Sequence, residues 1–236
     1  IDAIYKKRIF LDGAMGSELI KRGYSTENVE ELSITAPEVV KSIHKAYVEA
    51  GSNAVYTNTL GANSLKLKSV YPLETIILAA VDLARASGAE YVGYDCGSLG
   101  ALLYPYGELT FEKAYDLFAE QAKIIKKLPL DFVVIETISD TLELKAAILA
   151  FKENTDLPII CSMTFGKGGR SFVGCSIPSF VLVAQGLGVD AIGLNCGSGP
   201  DVMKENIKEL IKYAHLPVFA KPNAGIPYYH NGRTVY

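Results

Sequence analysis

Ala191-Ile192-Gly193-Leu194-Asn195-Cys196-Gly197-Ser198-Gly199-Pro200 is the stretch around which the chain is organised. A short apolar run meets Asn-Cys-Gly and then a Gly-Pro helix start. This is the pattern of a buried parallel strand whose last side chains emerge in a loop beside a helix N-terminus. In α/β proteins such loops carry the chemistry. A cysteine placed there serves as a nucleophile, as a metal ligand or simply as a small buried residue.

Outward from this stretch the same alternation of strand and helix repeats in both directions. Strands are expected near 8–11, 54–56, 91–94, 132–135 and 158–163 before it, and at 217–220 after it. Between them run amphipathic helices: 37–50, opened by Pro37 and stopped by Gly51; about 73–87, closed by Gly88; one capped by Thr110; and 142–153, capped by Ser139 or Asp140. Helices near 179–187 and over 201–213 flank the central stretch itself. Strand-helix steps of about 30 residues are the size of a βαβ repeat and demand a parallel sheet. Unusual residues gather in the loops after the strands, while the turns before them are short and plain. That asymmetry matches a (β/α)₈ TIM barrel, whose site lies at the C-terminal face. The competing doubly wound sheet places Gly-x-Gly-x-x-Gly after its first strand, and Asp12-Gly13-Ala14-Met15-Gly16 has the wrong glycine spacing. One strand and its helices are missing from eight full steps, so the chain as given is expected to form one barrel domain over 1–236 that is incomplete at its C-terminal end.

Composition narrows the function classes. The 236 residues suffice for one substantial core, with 49% hydrophobic and 21% charged residues. A formal charge of -3 provides no footprint for nucleic acid or for an anionic membrane surface. No apolar run approaches the roughly 20 residues that span a bilayer. With no basic, apolar leader at the start, a cytoplasmic protein is expected. The four cysteines, Cys96, Cys161, Cys175 and Cys196, have no framework spacing and read as thiols. The chain starts on Ile1 rather than Met and stops at Tyr236 in a turn-like segment, as a piece of a longer gene product would.

If the strands are parallel, their ends share one rim. The rim then holds Asp12, Asn58 with Thr59, Asp95 with Cys96, Glu136, Thr164, Asn195 with Cys196, and Asn223. Asp12 and Glu136 are suited to an acid/base pair or to holding a cation such as a substrate ammonium. A carboxylate directly after Phe-Val-Val-Ile is costly without a partner, which makes Glu136 the stronger candidate. Asp12 precedes a glycine and also fits a simple turn. His44, His215 and His230 fall away from the strand ends, so a catalytic triad has little support. The glycine loop 166–170 with Arg170 reads as a mobile surface loop. Lys221, at a strand end and followed by Pro222, offers a Schiff-base nucleophile for an aldolase. A non-catalytic barrel without a metal site is the third possibility.

Phe10-Leu11-Asp12-Gly13-Ala14-Met15-Gly16-Ser17-Glu18, Thr57-Asn58-Thr59-Leu60-Gly61-Ala62-Asn63, Glu136-Thr137, Gly193-Leu194-Asn195-Cys196 and Lys221-Pro222-Asn223-Ala224-Gly225 together resemble, in order and spacing, the homocysteine S-methyltransferase family. The likeness is greatest to the homocysteine-binding domain of cobalamin-dependent methionine synthases, and it covers essentially the whole chain. The resemblance implies a zinc-dependent barrel that transfers a methyl group to the sulfur of homocysteine, or of its selenium analogue. By that resemblance Asp12 and Glu136 hold the substrate ammonium, and the Gly13 and Ala14 backbone donates to its carboxylate. Asn58, Thr59 and Asn195 complete the substrate site. Cys196 is the first of three Zn²⁺ thiolates, and Asn223 stands beside the metal. The family's other two thiolates lie in a Gly-Gly-Cys-Cys-Gly motif, expected beyond Tyr236. Cys96, at a neighbouring rim position, is a weaker candidate ligand. Methylcobalamin or methyltetrahydrofolate is the donor the resemblance favours, with S-methylmethionine or a betaine as the family's alternatives, and a corrinoid protein or domain is the partner it implies.

Overall fold

The computed structural model describes residues 2–25, 27–197 and 199–225, together with the backbone of two short strands after them. Helices α1 (Asp2–Lys6) and α2 (Met15–Lys21), a 3-10 turn (Val29–Glu31) and α3 (Leu32–Thr35) come first. The repeating part then runs α4 (Pro37–Glu49), β1 (Ala54–Tyr56), α5 (Leu73–Arg85), β2 (Tyr91–Cys96), α6 (Phe111–Ile125) and β3 (Phe132–Ile138). It continues with α7 (Thr141–Asn154), β4 (Ile159–Met163), α8 (Ile177–Gly186), β5 (Ala191–Asn195), α9 (Pro200–Ile211) and β6 (Val218–Lys221). Strands β7 (Tyr228–His230) and β8 (Arg233–Val235) form a separate antiparallel hairpin where a turn was expected. The side chain of His230 and the whole of Tyr236 lie outside the described residues.

Strands β1 to β6 pair in parallel and in sequence order, β1-β2-β3-β4-β5-β6. The order never reverses, so the sheet has no switch point of the doubly wound kind; it curls as part of a TIM barrel. Residues of one parity, among them Val92, Tyr94, Val133, Ile135, Ile192 and Leu194, join the helices in one buried core. The opposite parity turns inward. There Tyr56 meets Phe132 edge-on at 5.9 Å, and a Cβ on Gly93 would come within 2.3 Å of the Phe132 ring. That close approach is why β2 carries a glycine in its middle.

Helix ends follow the local signals. Thr110 Oγ1 accepts from the Lys113 amide at 3.2 Å, and Asp140, rather than Ser139, caps α7 by accepting from the Leu142 amide at 2.8 Å. Ser176 and Ser179 form a reciprocal capping box that starts α8 two residues earlier than the apolar pattern indicates.

The first expected strand is the main departure. Residues 8–11 reduce to one bridge, Leu11 to Ala54, because the chain there has a partner on one side only among the described residues. What holds it is a two-part clasp: the Asn53 amide donates to Phe10 O at 2.8 Å, and Asn53 Oδ1 accepts from the Phe10 amide at 2.9 Å. The same clasp recurs with Asp131 on Val92 and with Asp190 on Ile159, always at the end where strands begin.

Candidate active site

The strand ends do meet at one mouth. It opens into a cavity of about 1210 Å³ that runs along the sheet to the strand starts at Pro158 and Pro217, and whose wall at the mouth includes Asp12, Tyr56, Asp95, Glu136, Cys196 and Lys221. Asp12 follows the Leu11 bridge; its Oδ2 accepts from the Tyr56 amide at 2.9 Å, and its Oδ1 lies 3.2 Å from Lys221 Nζ. Lys221 ends β6 and reaches across the mouth. Its Nζ is also 3.9 Å from Glu136 Oε2 and 3.7 Å from the centroid of the Tyr56 ring. Gly13 leaves room for Tyr47, whose hydroxyl would sit 2.7 Å from a Cβ there and which donates to Ala14 O at 3.2 Å. Beyond it α2 starts with no side-chain cap on its first amides, and Ala14, Met15 and Gly16 line the cavity.

Burial raises the Asp12 and Glu136 carboxyls above their ordinary range, and Lys221 pulls each part of the way back. Asp95 is pushed well up, first by burial and then by repulsion from Glu136. For Lys221 burial works against the charge, but Glu136, Asp12 and Asp95 together outweigh it and raise the pKa. An amine so held is an ammonium at neutral pH, the opposite of what a Schiff-base nucleophile requires. The aldolase expectation therefore fails on the lysine's own surroundings. Tyr56 Oη, Asp95 Oδ1 and Glu136 Oε2 in this cluster are buried without a hydrogen-bond partner among the described residues.

Cys196 follows β5 in a left-handed backbone conformation, φ 54°, and Thr137 near the end of β3 has φ 60°. Left-handed backbone is unfavourable for both residue types, and for β-branched Thr most of all. Asn195 holds the pair in place: Oδ1 accepts from the Thr137 amide at 3.0 Å and from Ser162 Oγ at 2.8 Å. Its Nδ2 donates to Thr137 Oγ1 at 2.7 Å and approaches Cys196 Sγ at 3.4 Å. The side chain of Asn195 is thus committed to positioning. Register slips between Ile135 and Ile138, and this irregularity lets Glu136 and Thr137 turn at the mouth. Burial and Glu136 raise the Cys196 thiol, partly offset by Thr137, Lys221 and Asn195. Left alone it is a thiol at neutral pH and a poor nucleophile.

Asn58 and Thr59 lie just behind the mouth. Asn58 Nδ2 donates to Val29 O at 2.8 Å and Ser33 Oγ at 3.2 Å, tying down the 3-10 turn and α3, while Thr59 Oγ1 donates to Asp95 O at 2.7 Å. Asn223 lines the cavity entrance two residues past β6. Cys96 is fully buried in the helix-facing core, on the opposite side of β2 from Asp95, and its thiol is well above its usual range through burial. The idea that it reaches the rim as a ligand fails on strand parity. Cys161 shares that core, and Cys175 lies 3.5 Å from Thr141 Oγ1 away from the mouth. Among the described residues no three His, Cys, Asp or Glu side chains are grouped to hold a metal ion. Among the described residues Cys196 is the one cysteine that lines the mouth. Tyr56 was missed from sequence, where its strand-end position was the available signal; Thr137 was noted there only as part of the Glu136-Thr137 strand end, without its left-handed backbone or its bonds to Asn195.

A parallel α/β barrel with a buried acidic mouth, a cation held in it and one cysteine beside it defines a class of small-molecule enzyme site. The family of homocysteine S-methyltransferases matches this chain over residues 9–236, and the chain belongs to that family. It is 31% identical over 239 residues to the methionine synthase of Mycobacterium leprae (92% of this chain, 20% of that protein). To the methionine synthase of Mycobacterium tuberculosis it is 30% identical over 250 residues (96% and 21%). The chain thus spans about a fifth of the length of these relatives. In fold it is similar to the metallated form of the homocysteine methyltransferase MmuM from Escherichia coli, with a TM-score of 0.82 at 20% identity (95% of this chain, 86% of that one).

Proposed function

We propose that this chain binds homocysteine for S-methylation, as the homocysteine-binding part of a methionine-forming methyltransferase. One observation carries the reading. Asp12 and Glu136, from the first and fourth steps of the barrel, converge on a single alkylammonium position in the same mouth as Cys196. A small zwitterionic thiol satisfies that arrangement: its ammonium meets the two carboxylates, its carboxylate meets the Gly13 and Ala14 amides, and its sulfur extends toward Cys196.

Each residue then has a physical task. Asp12 and Glu136 fix one end of the substrate, so the sulfur reaches the mouth at a set distance. Asn195 keeps Cys196 in its strained conformation and presents Sγ. The apolar lining from Tyr56 and Phe132 limits water below the mouth. Cys196 contributes a thiolate to Zn²⁺, with Asn223 beside it and the remaining ligands drawn from outside the described residues. When bound, Zn²⁺ supplies the deprotonation that a thiol of pKa near 8.5 lacks at neutral pH. The family resemblance of the sequence is what suggests a methylcorrinoid or methylfolate donor, delivered by a separate corrinoid protein or domain. No helix among the described residues is long and apolar enough to cross a membrane. The free thiols suit a reducing compartment, so the cytoplasm is the proposed location.

Calorimetry of L-homocysteine binding to the zinc-loaded full-length protein tests this. Wild type is expected to bind, and Cys196→Ala is expected to lose zinc stoichiometry and about a hundredfold or more in affinity, with stability changed by roughly 1 kcal/mol or less. Unchanged zinc and homocysteine binding in Cys196→Ala sinks the reading. So does a wild-type protein that binds zinc but not homocysteine, which leaves the non-catalytic barrel.

A further inference from the structure

We propose that Lys221 is an internal stand-in for the substrate ammonium, and that amino-acid binding is an ion exchange in which the incoming α-ammonium displaces Lys221 Nζ from its cage. This rests on the assignment of Asp12 and Glu136 to the substrate ammonium made above. Nζ lies 3.2 Å from Asp12 Oδ1, 3.9 Å from Glu136 Oε2 and 3.7 Å from the Tyr56 ring centroid. Two carboxylates and an aromatic face form a complete alkylammonium cage, and the protein's own side chain fills it. Two ammonium groups cannot share one such position, so one leaves when the other arrives.

The cage has to be kept filled because its carboxylates are buried. The Asp12 and Glu136 side chains are only 5% and 8% exposed, and an unpaired carboxylate that far from water is strongly disfavoured. Lysine supplies one positive charge to both until substrate comes, and exchange of one ammonium for another leaves that counter-charge unchanged. The stand-in also fits imperfectly. Glu136 Oε2 at 3.9 Å is within ion-pair range but, among the described residues, has no hydrogen bond, and Asp95 Oδ1 and Tyr56 Oη have none either. A free amino acid is not tethered to β6 and is able to move closer to Glu136, which is how it outcompetes the lysine. The tether itself stays put: Lys221 O accepts from the Cys196 amide at 3.1 Å, so the side chain alone swings. Lys221 thereby sets specificity. A thiol without an amine has nothing with which to displace it.

The sign of one measurement separates this from a lysine that binds substrate directly. In the full-length wild-type protein, Lys221 acylation by an amine-reactive reagent is followed by mass spectrometry, as a ratio to exposed Lys45. Saturating L-homocysteine is expected to raise the ratio severalfold, and 4-sulfanylbutanoate, the same thiol without its amine, to leave it unchanged. A ratio that falls, or one that stays constant while calorimetry records homocysteine binding, overturns the stand-in and leaves the functional reading intact. A second arm needs no homocysteine. Lys221→Ala removes the atoms of n-propylammonium, and the folded variant is expected to bind that ion in the millimolar range while wild type does not. Failure of the folded variant to bind it overturns the cage. Binding of it by a variant whose parent ignores homocysteine supports the cage and sinks the functional reading.

Discussion

The two ends of the parallel sheet use the same side chains for opposite purposes. Where strands begin, Asn53, Asp131 and Asp190 each grip the preceding strand twice, with a backbone amide and a side-chain oxygen; each of those oxygens accepts from a backbone amide, and that of Asp131 also from Arg85 Nη2 at 2.7 Å. Where strands end, Asp95 Oδ1 and Glu136 Oε2 are buried without a hydrogen bond among the described residues, and Thr137 and Cys196 sit in left-handed backbone. An acid whose hydrogen bonds go to the fold adds stability; one held unsatisfied costs stability and keeps its affinity for a ligand. The barrel keeps the two roles about one strand length apart.

Glu143 blurs this division and supplies the largest expected effect. It lies at the start of α7, on the mouth side, yet it accepts from the Leu99 amide at 2.8 Å and from Ser98 Oγ at 3.0 Å. Burial raises its pKa from 4.5 to about 7 against those bonds. A carboxyl raised on folding contributes stability that is complete below its unfolded pKa and is lost as pH climbs through the folded one. Urea denaturation of wild type against Glu143→Gln is therefore expected to show a relative loss for wild type of about 3 kcal/mol between pH 4 and pH 8. A flat difference removes Glu143 from the buried groups that titrate.

Glu136→Gln sharpens the comparison from the mouth side. Homocysteine affinity is expected to fall roughly 10- to 100-fold while unfolding stability changes by about 1 kcal/mol or less. Stability falling several kcal/mol with affinity unchanged breaks the division of roles. Asp190→Ala is the converse, with an expected loss of about 1–2 kcal/mol in stability and the same homocysteine dissociation constant as wild type.

The smallest effect concerns His44 on α4, fully buried with neither ring nitrogen bonded among the described residues and its pKa lowered to about 4 by burial. Its neutral form is favoured by folding, so its contribution is present above pH 6.5 and is lost as pH falls through about 4. His44→Leu is expected to gain about 1 kcal/mol at pH 7 and to show a shallower loss on acidification, both read from thermal melts across pH.

Local chemistry determined most of the architecture. Apolar runs of four to six residues, Pro37 at a helix start and the Thr110 cap act within a few positions of themselves, and each appears where the sequence places it. Strand ends were legible for the same reason, which brought Asp12, Glu136 and Cys196 to one mouth on paper. Residues 8–11 were not, because a strand is defined by its neighbours and this one has a single neighbour among the described residues. Cys96 and Cys196 look alike in the sequence, each at a strand end before glycine, and only the facing of each strand separates core from mouth.

The roles of Lys221 and Asn195 belong to the tertiary structure alone. Lys221 meets Asp12 across 209 positions, and Asn195 grips Thr137 across 58. A lysine's charge state and an amide's partners are set by whatever the closed sheet packs around them, and Coulomb and hydrogen-bond energies depend on distance in space. The sequence determined which side chains stand at the mouth; the curl of the sheet decided which of them are already holding one another.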